Sequence, residues 1–211
     1  MEYHHERQTG SDEKFSTEFI YGLRDIGYYI GDGMVIRNAL NTIKTYGDPY
    51  EYEFPGNNDL DIARPRVGEN FDELTKKAHP HRVSSYYRCR TDDEIKTALM
   101  KHGPVVTSMN TYKGAKLIND IYTWDPKADY GKHCILIVGW DERGWLIQNS
   151  WGSSYGGDGR FVMPFNYKLN ESWGITDDIQ DDKDIKKPNA FIKFISTIYN
   201  KIVNFFWKFK K

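Results

Sequence analysis

Two apolar segments separated by a tight turn constrain this chain more than any other feature. His133 opens the first segment, which runs to Val138, and the second segment ends at Asn149. The sequence DERG at 141–144 is typical of a turn, so we predict that the two segments pair as an antiparallel hairpin. In such a hairpin, His133 and Asn149 lie side by side at the open end.

A histidine beside an asparagine has the arrangement that a catalytic base needs. The amide oxygen of Asn149 accepts the ring N–H of His133, which fixes the tautomer and leaves the other ring nitrogen for a nucleophile. Trp151 follows two residues later and is placed to cover that hydrogen bond and keep water away from it. Taken alone, His133 is more typical of a buried hairpin with a hydrogen-bonded core histidine, so the catalytic interpretation depends on the residues around it.

Those residues resemble the papain-like cysteine peptidases (C1 family). The resemblance rests on His133 at the start of an apolar strand, on the tetrapeptide NSWG at 149–152, and on the glycine-rich run at 156–161. It extends more weakly over 1–178. It implies the α+β papain-like cysteine proteinase fold, with a helical left half, an antiparallel β right half and an active cleft between them. It also implies hydrolysis of peptide bonds by a Cys-His-Asn mechanism, with His133 as the base, Asn149 as its orienter, and a glutamine in the oxyanion hole.

Neither of the two cysteines is a suitable nucleophile for that mechanism. Cys134 is next to His133 in a strand, and neighbouring side chains in a strand point to opposite faces. Cys89 follows a strand-like run and is typical of a core or surface thiol.

The spacing of the family suggests where the nucleophile lies. In papain-like enzymes the histidine lies about 130–150 residues after the cysteine, which places the cysteine at or just before Met1. We therefore expect an N-terminally truncated chain that begins in the last turns of the cysteine helix and lacks the oxyanion glutamine. Alone, such a chain would be inactive.

The resemblance also implies residues that bind substrate. The predicted set is Asp32, Gly33, Met34, Val35, Ser108, Cys134 and Trp151. Asp32 and Gly33 would hydrogen-bond the substrate backbone, while the S2 pocket would be lined by Met34 and Val35 and, facing each other, by Ser108 and Cys134. Such a pocket suits a medium-sized apolar P2 residue. From the local sequence alone, a plain turn followed by a helix is an equally good interpretation of residues 31–47.

Composition excludes several classes of protein. A net charge of −1 over 211 residues gives no basic surface for nucleic acid, and a mean hydropathy of −0.71 argues against an integral membrane protein. Two cysteines are too few for a disulfide framework or a zinc site. The histidines at 4–5 and 79–81 lack further ligands at metal spacing, so we predict no metal and no cofactor. The first ten residues lack the apolar segment of a signal peptide, which favours a reducing, cytoplasmic location.

Local patterns predict the secondary structure. Helices are predicted over 1–8, 16–29, 35–46, 73–78 and 92–102. Ser16 is the predicted N-cap of the second of these helices, and a capping box at Thr91 opens the last. Strands are predicted over 82–90 and 104–112, and loops over most of 48–80 and 114–130. Helices therefore come first and antiparallel strands later, an order that favours an α+β chain.

The C-terminal residues differ in composition from the rest. We predict a peptidase domain over 1–178, an acidic linker over 179–188 and a basic amphipathic helix over 189–211, with apolar residues on one face and lysines and asparagines on the other. Such a helix binds an anionic membrane surface or a protein partner. Packing against its own domain is an equally good interpretation.

The sequence leaves three functional hypotheses. The first is the larger part of a papain-like peptidase that acts on peptide or protein substrates. The second is a non-catalytic pseudo-peptidase that binds peptides or a protein partner. The third is a module that docks on a membrane or a partner through residues 189–211.

Overall fold

A computed structural model describes residues 1–24, 33–56 and 59–177 and has an α+β architecture, as predicted. These residues fall into two compact units. We call residues 1–2 and 12–82 the helical unit, and residues 3–11 and 83–177 the sheet unit. The predicted linker and the predicted C-terminal helix lie outside the described residues, as does Asp32.

The helical unit is built from four α-helices: α2 (Thr17–Gly22), α3 (Ile36–Tyr46), α4 (Leu60–Glu69) and α5 (Phe71–Ala78), followed by a 3-10 turn at His79–His81. Its core consists of Phe19, Phe54, Val67, Phe71, Leu74 and Ala78. Helices α2 and α4 approach closely because Gly22 has no side chain: a Cβ atom there would lie 2.6 Å from Cγ2 of Val67. Beside this contact, the fully buried Glu18 pairs with Arg66, which keeps its charge from being buried alone.

The helix that follows Ser16 is shorter than predicted. Ser16 is the N-cap, and its hydroxyl accepts the backbone N–H of Phe19 at 3.1 Å. The helix nevertheless ends at Gly22 and does not reach position 29. It ends because the Arg24 N–H bonds to the Tyr21 carbonyl in a tighter turn, while the guanidinium of Arg24 bonds to the carbonyl of Gly33.

The prediction that 48–80 is mostly loop was wrong over α4, although α5 agrees with the predicted helix at 73–78. Asp59 caps α4 by accepting the N–H of Asp61 at 2.9 Å. Pro65 lies inside the helix, where it removes one backbone donor. Burial of Ala63 and Val67 in the unit's interior stabilises the helix in spite of that loss.

The sheet unit begins with α1 (Glu2–Thr9) and continues with β1 (Ser85–Cys89), α6 (Asp92–His102), β2 (Val105–Tyr112), β3 (Lys116–Ile118), β4 (Ile121–Thr123), β5 (Tyr130–Asp141), β6 (Gly144–Gln148), β7 (Arg160–Met163) and β8 (Glu171–Thr176). The strands form one sheet in the order β1-β8-β2-β5-β6-β7-β4-β3. The pairing is antiparallel except between β4 and β7. The centre of the sheet is its most buried part, where Trp145, Ile137 and Ile147 are 0–1% exposed.

The prediction that 114–130 is mostly loop must also be corrected, because this segment contains the β3–β4 hairpin. Ile118 pairs with Ile121, so the connecting loop is just Asn119 and Asp120. Both have positive φ angles, 50° and 62°, as a two-residue hairpin turn requires. Trp124 anchors the end of this hairpin by packing edge-on against Tyr167, with ring centroids 4.8 Å apart.

Asp48 is an unusual feature of the helical unit. It follows α3 and is 4% exposed, and its Oδ1 atom has no hydrogen-bond partner among the described residues. Burial disfavours the charged form and raises the pKa of this carboxyl to about 8.

The free energy of unfolding should therefore depend on pH through Asp48. The unfolded chain loses this proton near pH 4 and the folded chain near pH 8. The stability that this carboxyl contributes is thus largest below about pH 4 and is lost as the pH rises to about 8. The loss is on the order of a few kcal/mol. Asp48→Asn keeps the shape and removes the charge, so urea unfolding of this variant should show a flatter pH dependence.

Asp129→Asn is the matched control, because Asp129 is exposed. It should leave the pH dependence of unfolding as it is in the parent chain. An unchanged slope in Asp48→Asn would contradict the assignment of the effect to this buried carboxyl.

Candidate active site

The predicted hairpin is formed by β5 and β6. Gly144 pairs with Asp141 beside the turn, and the final pair joins Leu136 to Gln148. His133 lies three residues before that final pair and Asn149 one residue after it. Both side chains therefore lie at the open end of the hairpin, as the sequence predicts.

His133 and Asn149 are in direct contact. Nε2 of the imidazole lies 2.8 Å from Oδ1 of Asn149. The same Oδ1 accepts the backbone N–H of Ser150, also at 2.8 Å. A backbone N–H can only donate, so the atom that meets it must be the amide oxygen and not the amide nitrogen. It follows that Nε2 of His133 carries a proton and donates it, which leaves Nδ1 of a neutral ring as an acceptor.

Asn149 is held by its backbone as well as by its side chain. Its N–H donates to the carbonyl of Gly159 at 2.9 Å, which closes the loop between β6 and β7 at its base. The residue is 8% exposed, and its amide Nδ2 has no hydrogen-bond partner among the described residues. An unsatisfied buried donor costs about 1–3 kcal/mol. The fold therefore keeps Asn149 in this orientation although only its oxygen is satisfied.

Trp151 covers the histidine. Its ring stacks on that of His133 with centroids 4.6 Å apart and planes 24° apart. Tyr155 supports the indole edge-on at 4.9 Å. The indole remains 46% exposed, so it forms a partial roof over the imidazole.

Both cysteines are unsuited to act as the nucleophile for His133. Strand alternation places Cys134 on the sheet face opposite to its neighbour His133, and surrounding protein raises the pKa of its thiol to about 11 although the residue as a whole is exposed. Cys89 is 3% exposed, and burial raises the pKa of its thiol too. At neutral pH both remain thiols, which are poor nucleophiles.

The predicted substrate-binding residues that the structure describes belong to both units. Ser108 lies directly opposite Cys134 in the pairing of β2 with β5, as predicted. Gly33, Met34 and Val35 belong to the helical unit, where they precede α3 and are half-buried. The roles of all these residues in binding substrate stay predictions.

Two further residues of this region, Gln148 and Arg160, were not predicted from the sequence. They pair across β6 and β7, and the guanidinium Nε of Arg160 donates to the side-chain oxygen of Gln148 at 2.8 Å. The signal that was available is the position of Gln148 directly before Asn149. Its partner was not identifiable without the register of β7.

Within the described ranges, no three histidine, cysteine, aspartate or glutamate side chains come together in a way that would hold a metal ion. Every helix in those ranges is too short or too polar to cross a bilayer.

Comparison with known proteins identifies a family. The sequence model described as papain family cysteine protease matches residues 31–180. Human cathepsin O is 32% identical over 80 residues, which are 36% of this chain and 25% of that protein. Cathepsin B-like cysteine proteinase 3 of Caenorhabditis elegans is 34% identical over 95 residues, 41% of this chain and 26% of that protein. The match thus spans about a quarter of each of these relatives.

Solved structures agree with the family match. Xylellain, a cysteine protease from Xylella fastidiosa, superposes with a TM-score of 0.68 at 25% identity, covering 84% of this chain and 75% of that chain. Digestive procathepsin L 3 of Tenebrio molitor shares the fold, with a TM-score of 0.62 at 20% identity over 83% of this chain and 59% of that chain.

Removal of the indole should expose the bond between His133 and Asn149 to water. In Trp151→Ala we expect the Nε2 proton of His133 to exchange with solvent about tenfold faster or more, because the ring that stacks on the imidazole is lost. Exchange is measured by NMR on uniformly ¹⁵N-labelled protein. Trp140→Ala is the control, since Trp140 is a comparably exposed tryptophan of the same unit. Equal exchange rates in both variants would contradict the shielding role of Trp151.

Proposed function

This chain belongs to the papain family of cysteine proteases, and we propose that it takes part in the hydrolysis of peptide bonds with His133 as the general base. The observation that supports this role most directly is the state of the imidazole. Its Nε2–H is committed to Asn149, and no described residue hydrogen-bonds to Nδ1. Nδ1 is therefore an oriented acceptor, as a base beside a thiol must be.

The reaction proceeds in two stages. Nδ1 of His133 takes the proton of a cysteine thiol, and the sulfur attacks the carbonyl carbon of the scissile peptide to give a tetrahedral intermediate. The imidazolium returns that proton to the leaving amine as the C–N bond breaks, which leaves a thioester. Nδ1 then takes a proton from water, the resulting hydroxide attacks the thioester, and the thiol leaves with the proton from the imidazolium.

Asn149 contributes by keeping the imidazole in one tautomer and one orientation through both stages. It also accepts a hydrogen bond from the imidazolium, whose positive charge strengthens that bond. Trp151 excludes water from the same bond and so preserves its strength.

We propose that the thiol comes from a cysteine outside these 211 residues. Support comes from the exclusion of Cys89 and Cys134, which are protonated at neutral pH, and in the case of Cys134 point away from the base. The family spacing of about 130–150 residues between cysteine and histidine also supports a cysteine that lies before His133 by that distance, at or ahead of the first residue of this sequence. The oxyanion glutamine would come from that preceding stretch too.

The substrate is a peptide or protein in this proposal. Ser108 and Cys134, opposite each other on β2 and β5, would form one wall of the S2 pocket. A medium-sized apolar P2 residue suits such a pocket because it replaces water against apolar side chains.

The test compares the 211-residue chain with a chain extended through the residues encoded upstream in the same reading frame, as far as the first cysteine. Only the extended chain should hydrolyse a fluorogenic peptide and label with a thiol-reactive epoxysuccinyl probe. In the extended chain, His133→Ala should lower kcat/KM by about 1,000-fold or more, because the base is lost.

His5→Ala is the matched control, since His5 is a half-buried histidine of α1, and it should retain activity. If the extended chain is folded and binds peptide without turnover, the peptidase proposal fails and the non-catalytic interpretation takes its place. The proposal also fails if His133→Ala retains the full rate.

A further inference from the structure

The side chain of Gln148 bridges the two backbone segments that hold the candidate base. Its Nε2 donates to the carbonyl of Asn149 at 3.2 Å and to the carbonyl of Gly159 at 3.4 Å. Its Oε1 accepts from Nε of Arg160 at 2.8 Å. The amide thus receives a hydrogen on one side and donates on the other, which fixes which end is oxygen and which is nitrogen.

The bond to the Asn149 carbonyl matters because of the peptide plane to which that carbonyl belongs. The carbonyl of Asn149 and the N–H of Ser150 are two ends of one planar trans peptide and point in opposite directions. The Ser150 N–H is the donor that fixes the Asn149 side-chain oxygen at 2.8 Å. By holding one end of this peptide, Gln148 sets the direction of the other.

Space for this arrangement is provided by Gly159. A Cβ atom at that position would lie 3.1 Å from Nε2 of Gln148, and the φ angle of +75° favours glycine independently. Arg160, the next residue, is the cross-strand partner of Gln148. The loop therefore leaves room for the glutamine amide and supplies the guanidinium that orients it.

We propose that Gln148, oriented by Arg160, is a positioning residue that selects the tautomer of His133. The proposal rests on the proposed function for its catalytic meaning. The chain of contacts runs from Arg160 to Gln148, from there to the Asn149–Ser150 peptide, then to the side-chain oxygen of Asn149, and finally to Nε2 of His133.

Loss of the Gln148 donor has a defined chemical consequence. If the peptide rotates, the Ser150 N–H no longer reaches Oδ1, and the Asn149 amide is free to turn. The turned amide presents Nδ2, a donor, to the imidazole. Nε2 of His133 must then accept, which moves the ring proton to Nδ1 and removes the lone pair that a base requires.

The test measures the two ring-nitrogen shifts of His133 by long-range ¹H–¹⁵N NMR on the 211-residue chain, which requires no peptidase activity. In Gln148→Met, which keeps the length and removes both polar atoms, the ratio of the Nδ1–H to the Nε2–H tautomer should increase by roughly 2- to 10-fold. Arg160→Met should change the ratio in the same direction and by a smaller factor, because the direct donor remains.

Two further variants keep the test decisive. Gln148→Glu retains the contact with Arg160 but has no hydrogen to donate at neutral pH, so it should behave like Gln148→Met even if the latter folds poorly. Gln8→Met is the control: Gln8 donates to Asp177, and its loss should leave the ratio unchanged.

The outcomes separate this inference from the proposed function. A parent-like tautomer ratio in both folded Gln148 variants overturns the positioning role, whether or not the extended chain is a peptidase. An altered ratio in both variants supports the role. In an active extended chain, the altered ratio should also appear as a lower kcat with little change in KM.

Discussion

Two hydrogens converge on the amide oxygen of Asn149, one from the Ser150 backbone and one from the ring of His133. The hydrogen bond from Ser150 can have only one direction, because a peptide nitrogen has no lone pair with which to accept a hydrogen. The second is therefore determined by the first: the backbone identifies the oxygen, and the oxygen identifies the protonated ring nitrogen. A chemical property of the imidazole is in this way set by the conformation of the main chain.

The position of this contact is determined by the core of the sheet unit and not by the contact itself. Ile137 and Ile147 pair across β5 and β6 and are completely buried, and Trp145, two residues before Ile147, is 1% exposed. Burial of one such side chain contributes about 1.5–3 kcal/mol, whereas one hydrogen bond contributes about 1 kcal/mol net. Packing therefore places the open end of the hairpin, and the hydrogen bonds only orient the groups that packing has brought there.

Local patterns predicted what local energetics decide. The caps at Ser16 and Thr91 and the hairpin turn at 141–144 each depend on a few consecutive residues, and the structure contains all of them. Helix α4 was missed because Pro65 argues against a helix, and only burial against the rest of the helical unit compensates for it. The strands β3 and β4 have three residues each, too few for a pattern, although the Asn119-Asp120 dipeptide was a usable turn signal.

The candidate site likewise contains some residues that local sequence identifies and others that only the tertiary structure brings into contact. His133, Asn149 and Trp151 were identifiable because a hairpin fixes their relative positions. Gln148 and Arg160 are twelve residues apart, and their contact exists only through the register of β6 with β7. No pattern in the sequence specifies that register before the loop between the strands is known.

The bonding of His133 bears on the choice between a core histidine and a base. A core histidine is stabilised when both ring nitrogens are satisfied, since an unsatisfied buried nitrogen is costly. The described part of the chain bonds only Nε2, and His133 is half-buried under an indole that is itself 46% exposed. Asn149 also differs from a fully hydrogen-bonded core residue, because its Nδ2 is buried without a partner among the described residues. The cost of these unsatisfied groups supports the proposal that His133 acts as a base through Nδ1, and does not serve the stability of the hairpin alone.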